Sequence, residues 1–133
     1  MSAILLKIFA AGVVSALIGF VWYHPRVFGG AWMRLSGITP ESVEKGQRRI
    51  HINVLAAVTA SMLAAYTMNY LFSFAAIYEI HRAVLFACIL WIGFVAPAFL
   101  GVVLWDQKPV ALYLINSLYW LVSLAAMSVI IVL

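Results

Sequence analysis

Charged residues are scarce in this sequence: they make up 9% of its 133 residues, whereas 67% are apolar. A soluble domain is about half apolar and about a quarter charged. The composition therefore excludes a soluble globular domain, a disordered tail and a nucleic-acid-binding domain. The net charge of +4 does not change this, because the few basic residues flank apolar segments, where Lys and Arg report membrane topology and contact anionic lipid.

Cysteine and histidine are too few to build a metal site. Cys88 is the only cysteine, which excludes an intrachain disulfide and a CxxC site, and we interpret it as a small buried hydrophobe. His24 and His51 flank one loop, whereas the topology predicted below places His81 on the opposite side of a membrane. Two histidines alone supply too few ligands, so we expect no metal and no cofactor.

Catalytic motifs and buried charges are also missing. The sequence has no Ser-His-Asp set, no Gly-rich phosphate loop and no HExxH, so we expect no enzymatic activity. No ionised side chain lies in the middle of an apolar run, where ion-driven transporters usually keep one. The candidate intramembrane polar contacts are Asn69, Tyr113 and Asn116, for which hydrogen bonds between helices are favoured over a solute site. Glu79 and Arg82, with His81 between them, are either a surface pair or, through the carboxylate and the histidine, a proton or ion entry point.

Long apolar runs are abundant. A bilayer core of about 30 Å needs about 20 apolar residues in a helix, and residues 3–23, 52–72, 83–104 and 110–133 meet that length. The sequence therefore predicts an all-α integral membrane protein, with residues 1–133 forming one four-transmembrane-helix bundle. Because the later connections are short, we expect spans two and three, and spans three and four, to be antiparallel neighbours.

The basic residues predict an orientation. On one side of the predicted membrane lie Arg26, Arg34, Lys45, Arg48, Arg49 and Lys108, whereas Lys7 and Arg82 lie on the other side. The positive-inside rule then makes residues 24–51 a cytoplasmic loop and places both termini outside.

The loop 24–51 has a helical pattern of its own. Phe28, Ala31, Trp32 and Leu35 recur at i, i+3, i+4 and i+7, which places them on one face of a helix. Arg34 lies off that face and can reach lipid phosphate. The pattern predicts a short amphipathic helix in the membrane interface after the first span.

Two helix boundaries are predicted next to that segment. Gly37 is suited to the C-cap of the amphipathic helix. Thr39 and Pro40 are typical of an N-cap and a first helical residue. Because Gly46 is the strongest breaker that follows, we expect this helix to continue without interruption into the second span.

Small residues indicate where helices approach closely in a membrane. The candidate packing positions are Gly12, Gly19, Ala60, Ser61, Gly93, Pro97 and Gly101. Span two has two adjacent rows, one with Ala56, Ala60 and Ala64 and one with Ala57, Ser61 and Ala65. We expect one row to pack inside the bundle and the other to face a second subunit. Pro97 should kink the third span and free a carbonyl near Gly93 for a neighbouring hydroxyl or amide.

The run Trp-Tyr-His-Pro-Arg-Val-Phe-Gly-Gly-Ala-Trp-Met at residues 22–33 resembles the Trp-Tyr-x-Pro-x-x-Phe-Gly-x-x-Trp signature of the domain of unknown function 1761 family. Residues 93–105, then 108–109 and 115–116, resemble its second half. The resemblance implies a four-span protein of the bacterial cytoplasmic (inner) membrane, and it implies no activity. The candidate interfacial motif consists of Trp22, Tyr23, Pro25, Arg26, Phe28, Gly29, Trp32 and Arg34.

The motif itself has two interpretations. In the structural one, Trp22, Tyr23 and Trp32, together with Trp105, form an aromatic belt at the cytoplasmic boundary. Pro25 then ends the first helix, and the glycines at 29–30 let the chain turn into the membrane surface. In the functional one, the belt and the neighbouring arginine form a head-group or substrate pocket.

Three function classes follow from these features. The first is a structural or interaction protein that self-associates or is a small subunit of a membrane complex. The second is an oligomeric transporter or channel for a small solute. The third is a lipid-binding or lipid-modifying protein that acts through His24, Arg26, Trp32 and Arg34. Expected partners are the bilayer with its anionic lipid and a second copy or complex partner, but no nucleic acid.

Overall fold

The computed structural model describes residues 2–133, and this part of the chain is helical with no strand. The helices are α1 (Ala3–Trp22), α2 (Gly30–Ser36), α3 (Pro40–Arg48), α4 (Ile50–Phe74), α5 (Ile80–Leu90), α6 (Ala96–Phe99), α7 (Gly101–Leu104) and α8 (Val110–Val132). Two π-helical turns, Pro25–Gly29 and Trp91–Val95, precede α2 and α6.

Within residues 2–133, 4 helical segments are long and apolar enough to cross a membrane: α1, α4, α8 and the run Ile80–Leu104 that comprises α5 to α7. The predictions of an all-helical chain and of these apolar helices are confirmed. The helices of spans two and three extend two or three residues beyond the predicted bounds at 52 and 83.

The expectation of one unbroken helix from Thr39 into the second span is wrong. The start is as predicted, because the Thr39 side chain accepts a hydrogen bond from the Ser42 amide at 3.3 Å. However, Arg49 leaves the helical conformation (φ −108°, ψ 10°), and its amide donates to the Gly46 carbonyl at 3.2 Å. Glycine weakens a helix by about 1 kcal/mol relative to alanine. The largely exposed α3 has few contacts to hold it in line with α4.

The order of helix packing differs from the predicted one. α1 packs along both α4 and α8, and α8 also packs along α5. Spans three and four are therefore neighbours, as expected. Spans two and three pack along each other much less, although the rings of Phe72 and Phe86 lie with centroids 5.7 Å apart. A short connection brings only the ends of two helices together. Here α8, rather than α4, packs along the length of the third span.

Two lysines show which ends of the helices lie together. The Lys7 ammonium donates to the Ile131 carbonyl at 3.3 Å, which places the start of α1 beside the end of α8. The Lys108 ammonium donates to the Ser36 carbonyl at 3.5 Å, so the last connection lies beside the end of α2. The chain ends therefore share one end of the molecule, and the loops at 23–49 and 105–109 share the other, which we call the loop end.

The third span is interrupted, as Pro97 predicts, but the carbonyl group that loses its helical donor is not the predicted one near Gly93. The Ala96 amide bonds to the Trp91 carbonyl five residues earlier, and the Leu100 amide bonds to the Pro97 carbonyl at 3.2 Å. This leaves the Ala96 carbonyl without its helical donor. The Tyr113 hydroxyl donates to it at 3.1 Å. The expected rescue by a neighbouring hydroxyl thus occurs at Ala96 rather than near Gly93.

Candidate functional site

The segment that follows α1 is held by local hydrogen bonds. α1 ends at Trp22, and the His24 ring nitrogen Nδ1 accepts from the Arg26 amide at 3.2 Å. Pro25 then begins the π-helical turn, which closes when the Gly29 amide donates to the His24 carbonyl at 3.0 Å. Pro25 therefore starts the next element rather than ending the first helix.

Gly29 has a different role from the one its sequence context indicates. Its backbone is right-handed helical (φ −63°, ψ −37°), so the position needs no special turn conformation. It is buried, and a Cβ atom there would overlap the carbonyl groups of Tyr23 and His24. Glycine is needed because two backbone segments approach each other closely.

The aromatic residues of the motif pack in two neighbouring groups of rings. The ring centroids of Trp22 and Phe28 are 4.6 Å apart, and those of Tyr23 and Trp32 are 5.6 Å apart. Tyr23 also lies 5.5 Å from Tyr119 of α8. We call these five residues the aromatic cluster. Edge-on and tilted geometries at such distances contribute about 0.5–1.5 kcal/mol per pair beyond the area they bury.

Two hydrogen bonds join the aromatic cluster to α8. The Trp22 indole N–H donates to the Ile115 carbonyl at 3.0 Å, and the Tyr23 hydroxyl donates to Asn116 Oδ1 at 2.9 Å. The aromatic residues of the motif thus pack on one another and on α8, whereas Trp105 is 81% exposed. All four residues of the predicted belt lie at the loop end, where Trp22, Tyr23 and Trp32 are half-buried and Trp105 is exposed.

The remaining motif residues stay outside the cluster. Arg26 and Arg34 are exposed. Of the candidate polar contacts, Asn116 and Tyr113 bond to neighbouring helical segments. Asn69 lines a small cavity of about 170 Å³ together with Lys7, and its side chain has no hydrogen-bond partner within residues 2–133.

A polar network that sequence analysis missed lies deeper in the molecule. The Ser61 hydroxyl of α4 donates to Ser15 Oγ at 3.1 Å. The Tyr119 hydroxyl of α8 donates to the Ser15 carbonyl at 3.1 Å and lies 3.3 Å from Ser15 Oγ. Ser15 thus joins three helices. Both serines belong to small-residue rows, and their hydroxyl groups were the signal that could have indicated this network.

The packing positions on α1 face two different helices, Gly12 facing α4 and Gly19 facing α8. A Cβ at Gly12 would meet the side chain of Met62 and, at 3.3 Å, its backbone nitrogen. A Cβ at Gly19 would meet the Tyr119 hydroxyl at 3.3 Å. On α4, Ser61 is buried, whereas Ala60 is exposed. The row of Ser61 therefore faces the inside of the molecule.

The packing positions on the third span have no such contacts. A Cβ at Gly93 would have nothing within 4 Å among the described residues, and Pro97 is exposed. A Cβ at Gly101 would meet only Trp105, four residues later, at 3.5 Å. The third span therefore packs on α8 through other residues.

A model described as "Protein of unknown function (DUF1761)" matches residues 6–132 of the chain. The chain belongs to the DUF1761 family. No curated protein and no solved structure matches it. The match includes the whole aromatic cluster and the serine network of this DUF1761 chain, so both lie in the part that defines its family.

Titratable side chains are dispersed in this DUF1761 protein. Across residues 2–133, no group of three or more His, Cys, Asp or Glu is placed to hold a metal ion. His81 and Glu79 lie 3.2 Å apart, but both side chains are mostly exposed. Most polar groups inside the protein are hydroxyls, amides and indoles bonded to helices, whereas the buried hydroxyls of Ser117 and Ser123 have no hydrogen-bond partner among the described residues.

A groove opens between α1 and α4 beside the serine network. It has a volume of about 360 Å³, and we call it the α1/α4 groove. It is lined by Ala16, Gly19, Phe20, Tyr23, Asn53, Val54, Ala57 and Tyr119. Its lining is mainly apolar, and its polar side chains are two tyrosines and one asparagine.

Proposed function

We propose that this DUF1761 protein is a multi-pass protein of the bacterial inner membrane that works by association, first with a second copy of itself. In this proposal the apolar helices form a four-helix bundle in the bilayer, and the protein is not an enzyme. The observation on which the proposal depends is a difference between the two small-residue rows of α4. Ser61 and Ala65 of one row are buried, whereas Ala56 and Ala60 of the other are exposed and only its Ala64 packs against the core.

The packed row of α4 lies against α1. Ser61 and Ala65 are buried, and Ser61 bonds to Ser15. On the other row, Ala56 and Ala60 are exposed. Small side chains let two helix backbones approach closely in lipid, where close packing rather than water exclusion drives association. A second copy of the protein could pack on the exposed row in the same way that α1 packs on the other row.

The rest of the outward face of α4 also favours a protein partner. α4 is the least apolar of the candidate spans, and Tyr66 and Tyr70 are 57% and 64% exposed. The exposed hydroxyl of Thr59 bonds to the Leu55 carbonyl of its own helix at 2.8 Å, so it needs no further partner. Tyrosines that lie outside the interfaces of a bilayer gain from a partner that accepts their hydroxyl hydrogen bonds.

A transporter or channel is the second candidate, and the interruption of the third span favours it. Gly- or Pro-interrupted helices often mark solute sites in transporters, and Gly93 and Pro97 are exposed beside the π-helical turn. A chain with 4 candidate spans is small to enclose a pore by itself, so a pore would need an oligomer with this face at its axis.

We expect Ala60→Leu and Ser61→Leu to have different effects. Leucine at Ala60 should lower the fraction of dimer at least about tenfold, which corresponds to about 1.4 kcal/mol of overlap at the new interface, without changing the thermal midpoint. Leucine at Ser61 should lower the midpoint, because it overlaps α1 and removes a hydroxyl bonded to Ser15. Light scattering of detergent-solubilised protein and a thermal melt measure the two quantities.

Leu55→Ala is a matched control, since Leu55 is exposed on α4 without belonging to either row. If Ala60→Leu leaves the dimer intact, the outward face of α4 lies in lipid and the proposed association surface is wrong.

We further propose that the loop end is cytoplasmic and that both termini are external. Six Lys and Arg lie at the loop end and two near the other end, as the positive-inside rule requires. In this orientation α2 lies along the interface. Its half-buried Trp32 packs within the aromatic cluster, and its exposed Arg34 faces lipid phosphate.

Cysteine labelling tests this orientation. Ser42 and Ser73 are exposed at opposite ends of the molecule. In a Cys88→Ala background, Ser73→Cys should react with an impermeant maleimide added to intact cells, and Ser42→Cys should react only after lysis. The reverse pattern would invert the orientation.

A further inference from the structure

The α1/α4 groove is open towards the loop end because the facing side chains of the two helices are smaller there. In the middle of α1, Gly12 contacts Met62, and Ser15 bonds to Ser61, so the helices are in close contact there. Towards the loop end, the facing residues include the small Gly19 and Ala57. The space between the helices reaches about 360 Å³, within the roughly 300–1,000 Å³ of most ligand sites.

Polar groups lie at the loop end of the groove. The Asn53 side chain lines the groove and has no hydrogen-bond partner within residues 2–133, so two N–H donors and one carbonyl oxygen remain available. The Tyr23 hydroxyl donates to Asn116, which leaves a lone pair on its oxygen. The Tyr119 hydroxyl lies instead at the closed end of the groove, beside Ser15. Between these ends the groove is lined mainly by apolar residues.

A positive charge lies one helical turn beyond that polar end. The Asn53 amide donates to the Arg49 carbonyl at 3.0 Å, so Arg49 lies one turn before Asn53 at the start of α4. Arg48 is paired with Glu44 at 2.9 Å, whereas Arg49 forms no ion pair in the described part of the chain. Along α4 the order of residues is thus the apolar cleft residue Ala57, the carboxamide of Asn53 and, one turn before it, an arginine without an ion pair in the described part of the chain.

We propose that the α1/α4 groove binds one anionic phospholipid from the leaflet at the loop end. One acyl chain lies between α1 and α4 along Gly19 and Ala57. The ester region accepts hydrogen bonds from Asn53, and the phosphate pairs with Arg49. The order of these groups along α4 matches the order of the groups in a phospholipid, and the positive charge of the loop end selects an anionic head group. This inference rests on the proposed membrane placement.

Native mass spectrometry of the whole protein tests the proposal. The protein is reconstituted in nanodiscs with phosphatidylglycerol and phosphatidylcholine of identical chains in equal amounts, released, and weighed. We expect one retained phosphatidylglycerol per chain, about fivefold preferred over phosphatidylcholine, since a basic residue near an anionic surface contributes about 1 kcal/mol. Arg49→Gln should abolish the preference, and Lys45→Gln on the exposed α3 should retain it.

A second pair of variants tests the cleft itself. Ala57→Leu fills it and should lower lipid retention at least about fivefold, corresponding to about 1 kcal/mol of lost contact, whereas Ala98→Leu on the exposed side of the third span should not. If Ala57→Leu fails to fold, Asn53→Leu takes its place, with Asn69→Leu, the other carboxamide of α4, as its control.

Three results would overturn the proposal: equal retention of the two lipids by the unmodified protein, unchanged retention by the groove variants, or a loss of dimer with unchanged lipid in Ala57→Leu. The last result would assign the groove to a second copy. The proposed self-association is tested separately, because it is measured by the oligomeric mass of the unmodified protein.

Discussion

Replacing Gly29 with alanine should lower the free energy of unfolding by about 3 kcal/mol or more, the upper end of the cost of overpacking. The added Cβ would overlap the backbone carbonyl groups of Tyr23 and His24, which cannot move aside as a flexible side chain can. The π-helical turn would have to open, and the contacts between the aromatic cluster and α8 would then be lost. Chemical unfolding in mild detergent, followed by near-ultraviolet circular dichroism, measures the change.

Gly46→Ala is the matched control for this variant. A Cβ at Gly46 meets nothing within 4 Å, and alanine favours a helix by about 1 kcal/mol over glycine. The control should therefore be neutral or slightly stabilising. Equal stability of Gly29→Ala and the unmodified protein would mean that the close approach of the two backbone segments does not contribute to stability.

Gly12→Leu is expected to have the second largest effect, a loss of about 3 kcal/mol from the overpacked contact between α1 and α4. The position is buried, and even a Cβ would meet the side chain of Met62 and approach its backbone nitrogen at 3.3 Å. A leucine would push the two helices apart and break the hydrogen bond between Ser61 and Ser15. Thermal unfolding in detergent measures the loss.

Gly93→Leu is the comparison for Gly12→Leu. Both glycines belong to small-residue rows, but a Cβ at Gly93 meets nothing within 4 Å among the described residues. Its leucine variant should keep the thermal midpoint of the unmodified chain. A loss at Gly93 as large as that at Gly12 would contradict the assignment of Gly93 to an open face.

Features that depend on neighbouring residues in the sequence could be predicted from it. The lengths of the apolar runs identified the four candidate spans. The left-handed Gly37 (φ 69°) and the Thr39 cap bound two short helices as expected. Propensity and capping act over a few residues, so the sequence contains the information they need.

Features that depend on how distant helices align could not be predicted. Gly12 and Gly93 lie in similar patterns, and only the alignment of α1 with α4 distinguishes the buried one from the exposed one. The break at Arg49 depends on how few contacts α3 makes with the rest of the chain. Neither the rotation of a helix about its axis nor its neighbours can be derived from a local pattern.

The candidate site likewise combines features that could be predicted from the sequence with features that could not. The aromatic residues from Trp22 to Trp32 stood out by composition and spacing, and Asn116 by its polarity. Their contacts could not be foreseen, since the hydrogen bond from Tyr23 to Asn116 joins residues 93 positions apart. The Ser15 network was missed because serine in an apolar run is as typical of a small spacer as of a hydrogen-bonding group.

The attachment of α1 to α8 has a consequence for biosynthesis. The donors at Trp22, Tyr23 and Lys7 bond to residues 93 to 124 positions later. At about 5–20 residues per second, the ribosome needs about 5 to 25 seconds to make that stretch. During this interval the first helix has α4 as a partner but not α8. The nascent protein therefore passes through a stage in which these donors are unpaired, and it completes its fold only after the last helix has left the ribosome.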